Sequence, residues 1–279
     1  MVVPHLAGCI RATETVAARV DRSGSANLVW ETPRTGDSSG TAAEYDAMAE
    51  EYTADNDGVF NALYERPAML SFLGDVVGKR VLDIGCGAGQ LSLALSQQNA
   101  SVIGIDVSSR MVELAKKRLG NQIEFRVHDL SQPLPFEDSS FDIVVASLVM
   151  HYLEDWIPAL REIRRVLTPQ GCMAFSTHHP TMDWKLHSPA NYFTKKQSTE
   201  VWVKGGKPFE VTTWRRPLAE ISREISEAGL VISRIDEPMP QPSLHSIEPA
   251  TDAYLRSRPH FLFFRLVRLL NDAPERTDR

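Results

Sequence analysis

Residues 81–90 read VLDIGCGAGQ, and the reading of the whole chain turns on them. An apolar run and Asp83 lead into three glycines at alternate positions, Gly85, Gly87 and Gly89. Glycine loses more backbone entropy on folding than any other residue, so such a cluster is kept where the chain must turn sharply or let another molecule come close. An apolar strand, a glycine turn and a helical pattern in succession form the opening of a βαβ unit, whose first loop is the usual ligand contact.

Outward from this stretch, strand and helix patterns alternate. KRVLDI, SVIGID, IEFRVHD, FDIVVASLVM, GCMAFSTHH, LVISRID and HFLFFRLVR read as strands. GQLSLALSQQ, SSRMVELAKKRL, WIPALREIRRVL and PLAEISREISEAG read as helices, the second opened by a serine cap and the third stopped by Pro169. Strict alternation predicts an α/β fold with a mostly parallel sheet covered by helices on both faces. Before the first strand, TAAEYDAMAEEYTADND places Tyr45, Met48 and Tyr52 on one helical face, and a second helical stretch runs through Pro67. The expected organisation is a flexible extension over residues 1–40, one domain over 41–270 and a tail over 271–279. Within the domain, N-terminal lid helices occupy 41–77 and a cap insertion occupies 178–214. The cap contains Val201, Val203, Phe209 and Val211 around Gly205-Gly206, the pattern of a hairpin turned on two glycines.

Composition limits the partners. The 279 residues carry a net charge of -6 and 43% hydrophobic content, enough for an ordinary core and unfavourable for a partner held mainly by phosphate contacts. The three cysteines, Cys9, Cys86 and Cys172, have no CxxC spacing, which points away from disulfides and zinc and toward a reducing, cytoplasmic setting. The longest apolar runs fall short of the ~20 residues that span a bilayer, so no membrane span is expected.

The chemistry gathers at the strand ends. A GxGxxG dinucleotide fingerprint would need glycine or alanine where Gln90 stands, and Asp83 adds negative charge that suits a cation better than a phosphate. Asp106 ends the second strand, about 20 residues past the first glycine, where an acid accepts both hydroxyls of a ribose. Asp129, at the end of the third strand, is placed to accept from the exocyclic amine of adenine. Together these features describe a nucleoside with a positively charged tail.

The segments VLDIGCGAGQLS, VIGIDVSSRMVELAKKR, HDLSQPLPFEDSSFDIVVASLVMHYLEDW and LREIRRVLTPQGCMAFSTHHP resemble, in this order, the class I S-adenosylmethionine-dependent methyltransferases, in particular those that modify small molecules. The resemblance runs from about Tyr45 to Arg268 and is strongest between Arg80 and Thr177. It implies a Rossmann-like sheet of seven strands in the order 3-2-1-4-5-7-6 with the last strand antiparallel, and S-adenosylmethionine as cofactor. It also implies that Gly85, Gly87 and Gly89 line the methionine part, that Asp106 holds ribose, and that Asp129 with Leu130 contacts adenine. Ser147 would face the reacting centre, and Tyr45 and Tyr52 would lie on a helix folded over the cofactor.

The acceptor side is read from residue type. His151, His178, His179 and His187 fall at strand ends or in the cap, and imidazole is the natural base near neutrality; His178 and His179, with His151 behind them, are the candidates for acid-base work. The spacing of HHP with Asp183 and His187 is not that of a zinc site, so no metal is expected. Trp184, Tyr192, Phe193, Trp202, Phe209 and Trp214 concentrate in the cap and are candidates for an apolar acceptor pocket. A small-molecule acceptor is thus expected. The rival readings are a tRNA or protein methyltransferase, which would need Arg256, Arg258, Arg265 and Arg268 on one basic face, and a binding or cyclising protein that no longer transfers methyl.

Overall fold

The computed structural model describes residues 38–55, 58–182 and 191–269. The expected extension (nearly all of 1–40), the tail 271–279, Cys9, Asp183, Trp184 and His187 lie outside the described residues. Helix α1 (Ser38–Asp55) is followed by a π-helical turn over Asn61–Glu65 that runs into α2 (Arg66–Leu73). Then come β1 (Arg80–Ile84), α3 (Gln90–Gln97), β2 (Ser101–Asp106), α4 (Ser109–Leu119), β3 (Glu124–Val127), β4 (Phe141–Ser147), α5 (Ile157–Val166) and β5 (Leu167–His178). After the cap region the chain forms β6 (Lys196–Lys204), β7 (Lys207–Arg215), α6 (Leu218–Glu227) and β8 (Leu230–Asp236). It closes with α7 (Leu244–Ile247), α8 (Pro249–Ser257) and β9 (Phe261–Arg268).

Seven strands form one sheet in the order β3-β2-β1-β4-β5-β9-β8. With β8 and β9 counted as sixth and seventh, this is the order implied by the resemblance, and β9 runs antiparallel to both neighbours. Successive strand residues point to opposite faces, so each apolar pair feeds two cores. Val81, Val145, Phe125 and Phe263 join Phe72, Leu95 and Val112 on the α2, α3 and α4 side. Leu82, Val144, Phe175 and Phe264 join Trp156, Ile163 and Ile221 on the α5 and α6 side. A strand buried on both faces can do polar chemistry only at its ends, which is where the candidate residues lie.

Local chemistry sets the element boundaries. Ser108 caps α4 by accepting from Met111 N at 3.0 Å, as the serine pattern predicts. The fourth strand is shorter than its apolar run: it stops at Ser147 because Leu148 takes φ +55° and turns the chain into a single 3-10 turn over Met150–Tyr152. The segment between β8 and β9, which shows little periodicity, forms the short helices α7 and α8, with Leu244 and Leu255 buried in the first core.

β6 and β7 pair antiparallel with Lys204 opposite Lys207. Gly205 and Gly206 have φ +56° and +78°, the type I′ geometry that matches strand twist in a two-residue hairpin. Val201 and Val203 face solvent, whereas the alternate face turns onto α1. There Trp202 stacks on Tyr52 with ring centroids 6.3 Å apart, and Lys207 pairs with Glu51.

Gly104 marks the tightest point of the sheet centre: a Cβ built there would lie 2.6 Å from Phe125 and 3.0 Å from Cys86 Sγ. Gly104→Ala should therefore overpack a filled core and cost about 1–3 kcal/mol. Urea denaturation measures it, and an unchanged midpoint would show that Phe125 yields freely.

Candidate active site

A cavity opens above the carboxyl ends of β1, β2 and β4, under α1. The three glycines of the first loop do different work around it. Gly85 has φ +66°, and a Cβ there would lie 2.2 Å from Val149 Cγ2, so the loops after β1 and β4 touch at this point. Gly87 has φ +53° and a Cβ there would meet nothing within 4 Å; this glycine leaves room for a ligand. Gly89 does not line the cavity. It begins α3, and a Cβ would come within 2.9 Å of Leu119 and 3.1 Å of Phe125, so this glycine lets α3 pack against α4 and the sheet.

Asp106 lines the cavity and accepts from Gly87 N at 2.8 Å and from Ser108 N at 2.9 Å, one bond to each oxygen. Each oxygen keeps a further lone pair for a ligand hydroxyl. Burial raises the carboxyl pKa to about 6 against the pull of those two N–H groups. Asp83 lies behind the loop and does not line the cavity; Ser92 Oγ donates to it at 2.5 Å, and burial, reinforced by the charges of Asp106 and Glu65, raises its pKa to about 7. Its place in the site is thus electrostatic, through the loop and not by contact. Asp129 and Leu130 line the far end of the cavity, where Ser131 N donates to Asp129 at 2.8 Å.

Ser147 lines the other end of the cavity. Beside it is a residue that sequence reasoning passed over. Glu65, in the π-helical turn, is only 2% exposed, lines the cavity, and accepts from Ser176 Oγ at 2.6 Å and from Ser147. Nothing in the sequence around it spaces Glu65 as a site residue. The available signal was the unusual pair Glu65-Arg66 directly before Pro67, charged residues where an amphipathic helix would be expected to continue.

α1 covers the cavity. Tyr45 and Tyr52 both line it, and the Tyr45 hydroxyl lies 2.5 Å from that of Tyr152, in the turn after β4. Asp46 accepts from Ser108 Oγ at 2.5 Å and from Arg110 N at 3.1 Å, fixing the helix over the loop after β2.

The histidines separate. His178 and His151 stack with centroids 4.5 Å apart, and His151 lies 4.5 Å from the Tyr152 ring. Burial, with His178 and Arg216 nearby, drives the His151 pKa well below the usual range, and its Nδ1 finds no hydrogen-bond partner among the described residues. His179, the first residue past β5, points elsewhere, with Nε2 2.9 Å from Glu237. The cap aromatics separate in the same way: Trp202 stacks on Tyr52, while Phe193 is 78% exposed and Tyr192 accepts from Leu218 N at the start of α6. Trp214 is half-buried on β7 and does not line the cavity.

Residues 82–175 match the model of a methyltransferase domain family. A demethylmenaquinone methyltransferase of Staphylococcus aureus is 30% identical over 181 residues, 61% of this chain and 75% of that protein. The chain belongs to the class I S-adenosylmethionine-dependent methyltransferases. An uncharacterised protein of Haemophilus influenzae is 31% identical over 67% of this chain and 81% of its own length. The S-adenosylmethionine-dependent methyltransferase of Mesorhizobium loti superposes with a TM-score of 0.59 at 26% identity, covering 72% of this chain and 96% of that one. The methyltransferase cofactor is S-adenosylmethionine, and the cavity has features that suit it: open space at Gly87, acids facing a cationic ligand, and the buried Gln90 Nε2, without a partner among the described residues. Among those residues no cluster of three or more His, Cys, Asp or Glu could hold a metal, and no helix is long and apolar enough to cross a membrane.

The raised pKa of Asp83 carries a stability signature. A folded pKa near 7, above the unfolded value of ~3.9, means that the folded state binds this proton more tightly. The resulting stabilisation is complete below about pH 4 and is lost as pH rises through about 7. Melting of the ligand-free protein should therefore shift in favour of Asp83→Asn as pH is raised from 5 to 8. A gap in Tm that does not change with pH would show that Asp83 is ionised throughout.

Proposed function

We propose that this methyltransferase acts on a small-molecule acceptor bound between the end of β5, the turn after β4 and the face of the β6-β7 hairpin. The observation that carries this reading is the grouping of Tyr45, Tyr52, Tyr152, Trp202, His151 and His178 beside the Ser147 end of the cavity. An aromatic wall with a few polar groups suits a compact organic molecule. The Staphylococcus aureus relative is named for demethylmenaquinone, a small molecule, which supports the same class. The basic residues that a nucleic-acid acceptor would need are dispersed: Arg258 follows the last residue of α8, Arg268 ends β9, and Arg256 is paired with Asp252 at 2.8 Å.

In this reading the bound cofactor supplies an electrophilic methyl on a sulfonium. The chain aligns and encloses. Asp106 receives the ribose hydroxyls, Asp129 and Leu130 hold the adenine, Gly85 and Gly87 shape the passage for the methionine part, and Ser147 borders the reacting centre. The helices within 41–77 serve as a lid, and the cap within 178–214 supplies the acceptor wall, excluding water from the transfer. His178 takes the proton of an acceptor that carries one, while neutral His151 supports its ring from behind.

Two measurements test these roles. Asp106→Ala should weaken binding of S-adenosylmethionine and of its demethylated product alike, by about tenfold to a hundredfold, the worth of charged hydrogen bonds; equal affinity in calorimetry would remove Asp106 from the site. Once an acceptor is found by screening labelled methyl transfer, His178→Ala should lower turnover by about a hundredfold with cofactor affinity unchanged, and His179→Ala much less. Equal turnover in both variants would show that the proton leaves by another route.

A further inference from the structure

Three carboxylates line the cavity: Glu65, Asp106 and Asp129. If Asp106 and Asp129 serve the ribose and the adenine, Glu65 is left at the Ser147 end, where the charged part of the cofactor must lie. The groups that face Glu65 come from every element around it. Arg66 adjoins it in the chain, Tyr52 of α1 and Asp83 of β1 are within electrostatic reach, and the hydroxyls of Ser147 and Ser176 donate from the ends of β4 and β5. Leu148 N in turn donates to Ser176 Oγ at 2.9 Å, so the carboxylate is held in place by the sheet. The hydrogen bonds to this buried carboxylate come from neutral hydroxyls, and the Arg66 charge adds a weaker pull toward the ionised form. It is suited to a cation that arrives and leaves.

We propose that Glu65 is the residue by which the site distinguishes the cationic sulfonium of S-adenosylmethionine from the uncharged thioether of the spent cofactor. The two ligands share adenine, ribose, ammonium and carboxylate and differ by one methyl and one positive charge. Contacts to the shared groups bind both alike, so a preference for substrate over product comes from groups near the sulfur that meet the added methyl and its charge, and a carboxylate is the strongest of these for the charge. Burial raises the Glu65 pKa, with Ser176 and Ser147 opposing. An adjacent cation favours the ionised form, so the sulfonium and the Glu65 carboxylate stabilise each other, whereas the thioether exerts no such pull. In turnover, loss of the positive charge on methyl transfer weakens the grip on the product.

This inference rests on the cofactor placement proposed above, and the test separates the two. Calorimetry of the full chain with S-adenosylmethionine and with S-adenosylhomocysteine is run on wild type, Asp106→Ala and Glu65→Gln, the last keeping an acceptor for Ser176. Glu65→Gln should weaken S-adenosylmethionine by about tenfold, the worth of one neighbouring charge, and S-adenosylhomocysteine by less than about twofold. Equal losses for both ligands would assign Glu65 to the shared ammonium or to structure and overturn the inference, as would no loss for either. If Asp106→Ala alters neither affinity, the cofactor placement itself fails. Should Glu65→Gln not fold, Glu65→Asp, which keeps the charge and withdraws it by one methylene, decides: a loss confined to S-adenosylmethionine supports the inference, and equal losses for both ligands, or none, overturn it.

Discussion

The hydrogen bond from Gly87 N to Asp106 Oδ2 joins the loop after β1 to the end of β2, and the site is arranged around it. It holds the glycine loop in the shape that leaves open space at Gly87, and it aims the Asp106 carboxylate along the cavity with lone pairs to spare. The bond depends in turn on the packing beneath it. β1 and β2 run in parallel register from Arg80 and Ser101 to Ile84 and Ile105, and Gly104 lets Phe125 of β3 lie close against β2. A shift of one residue in that register would exchange the two cores and carry the acid to the wrong face.

The same geometry accounts for the unusual concentration of buried acids. Asp83, Asp106 and Glu65 are all nearly excluded from water, and burial raises the pKa of each. A stable fold would normally avoid this, since a buried carboxylate without a cation costs stability. Here each is held by hydrogen-bond donors: Ser176 and Ser147 on Glu65, Ser92 on Asp83, and the Gly87 and Ser108 N–H groups on Asp106.

Much of this was legible in the sequence because it depends on local pattern. The alternation of strands and helices gave the sheet, and the capping serine and the paired glycines of the hairpin lie where backbone chemistry requires them. Tyr45 and Tyr52, on one helical face, meet the cavity together. What the sequence hid depends on tertiary placement. Glu65 looks like any acid in a helical stretch until the π-helical turn carries it under the ends of β4 and β5. Asp83 and Gly89, adjacent in pattern to lining residues, are turned behind the loop, one onto Ser92 and the other onto Leu119. His178 and His179 are equivalent in sequence and are separated by the end of β5, which leaves the first on His151 and turns the second to Glu237. Aromatic density in the cap likewise gave no means of telling Trp202, against α1, from Phe193, in solvent.

The hairpin turn has a consequence for how the molecule could be remodelled. A Cβ at Gly205 would lie 2.8 Å from Glu51 Cγ, so the tip of the hairpin and α1 meet without a spare atom between them, while Trp202 and Lys207 secure the same helix from either side. The hairpin, proposed above as the acceptor wall, is therefore also the brace of the helix that lies over the cavity. In evolution or in engineering, a hairpin of different length or twist would need compensating changes along α1, so chains descended from this one should vary by paired substitutions across that contact.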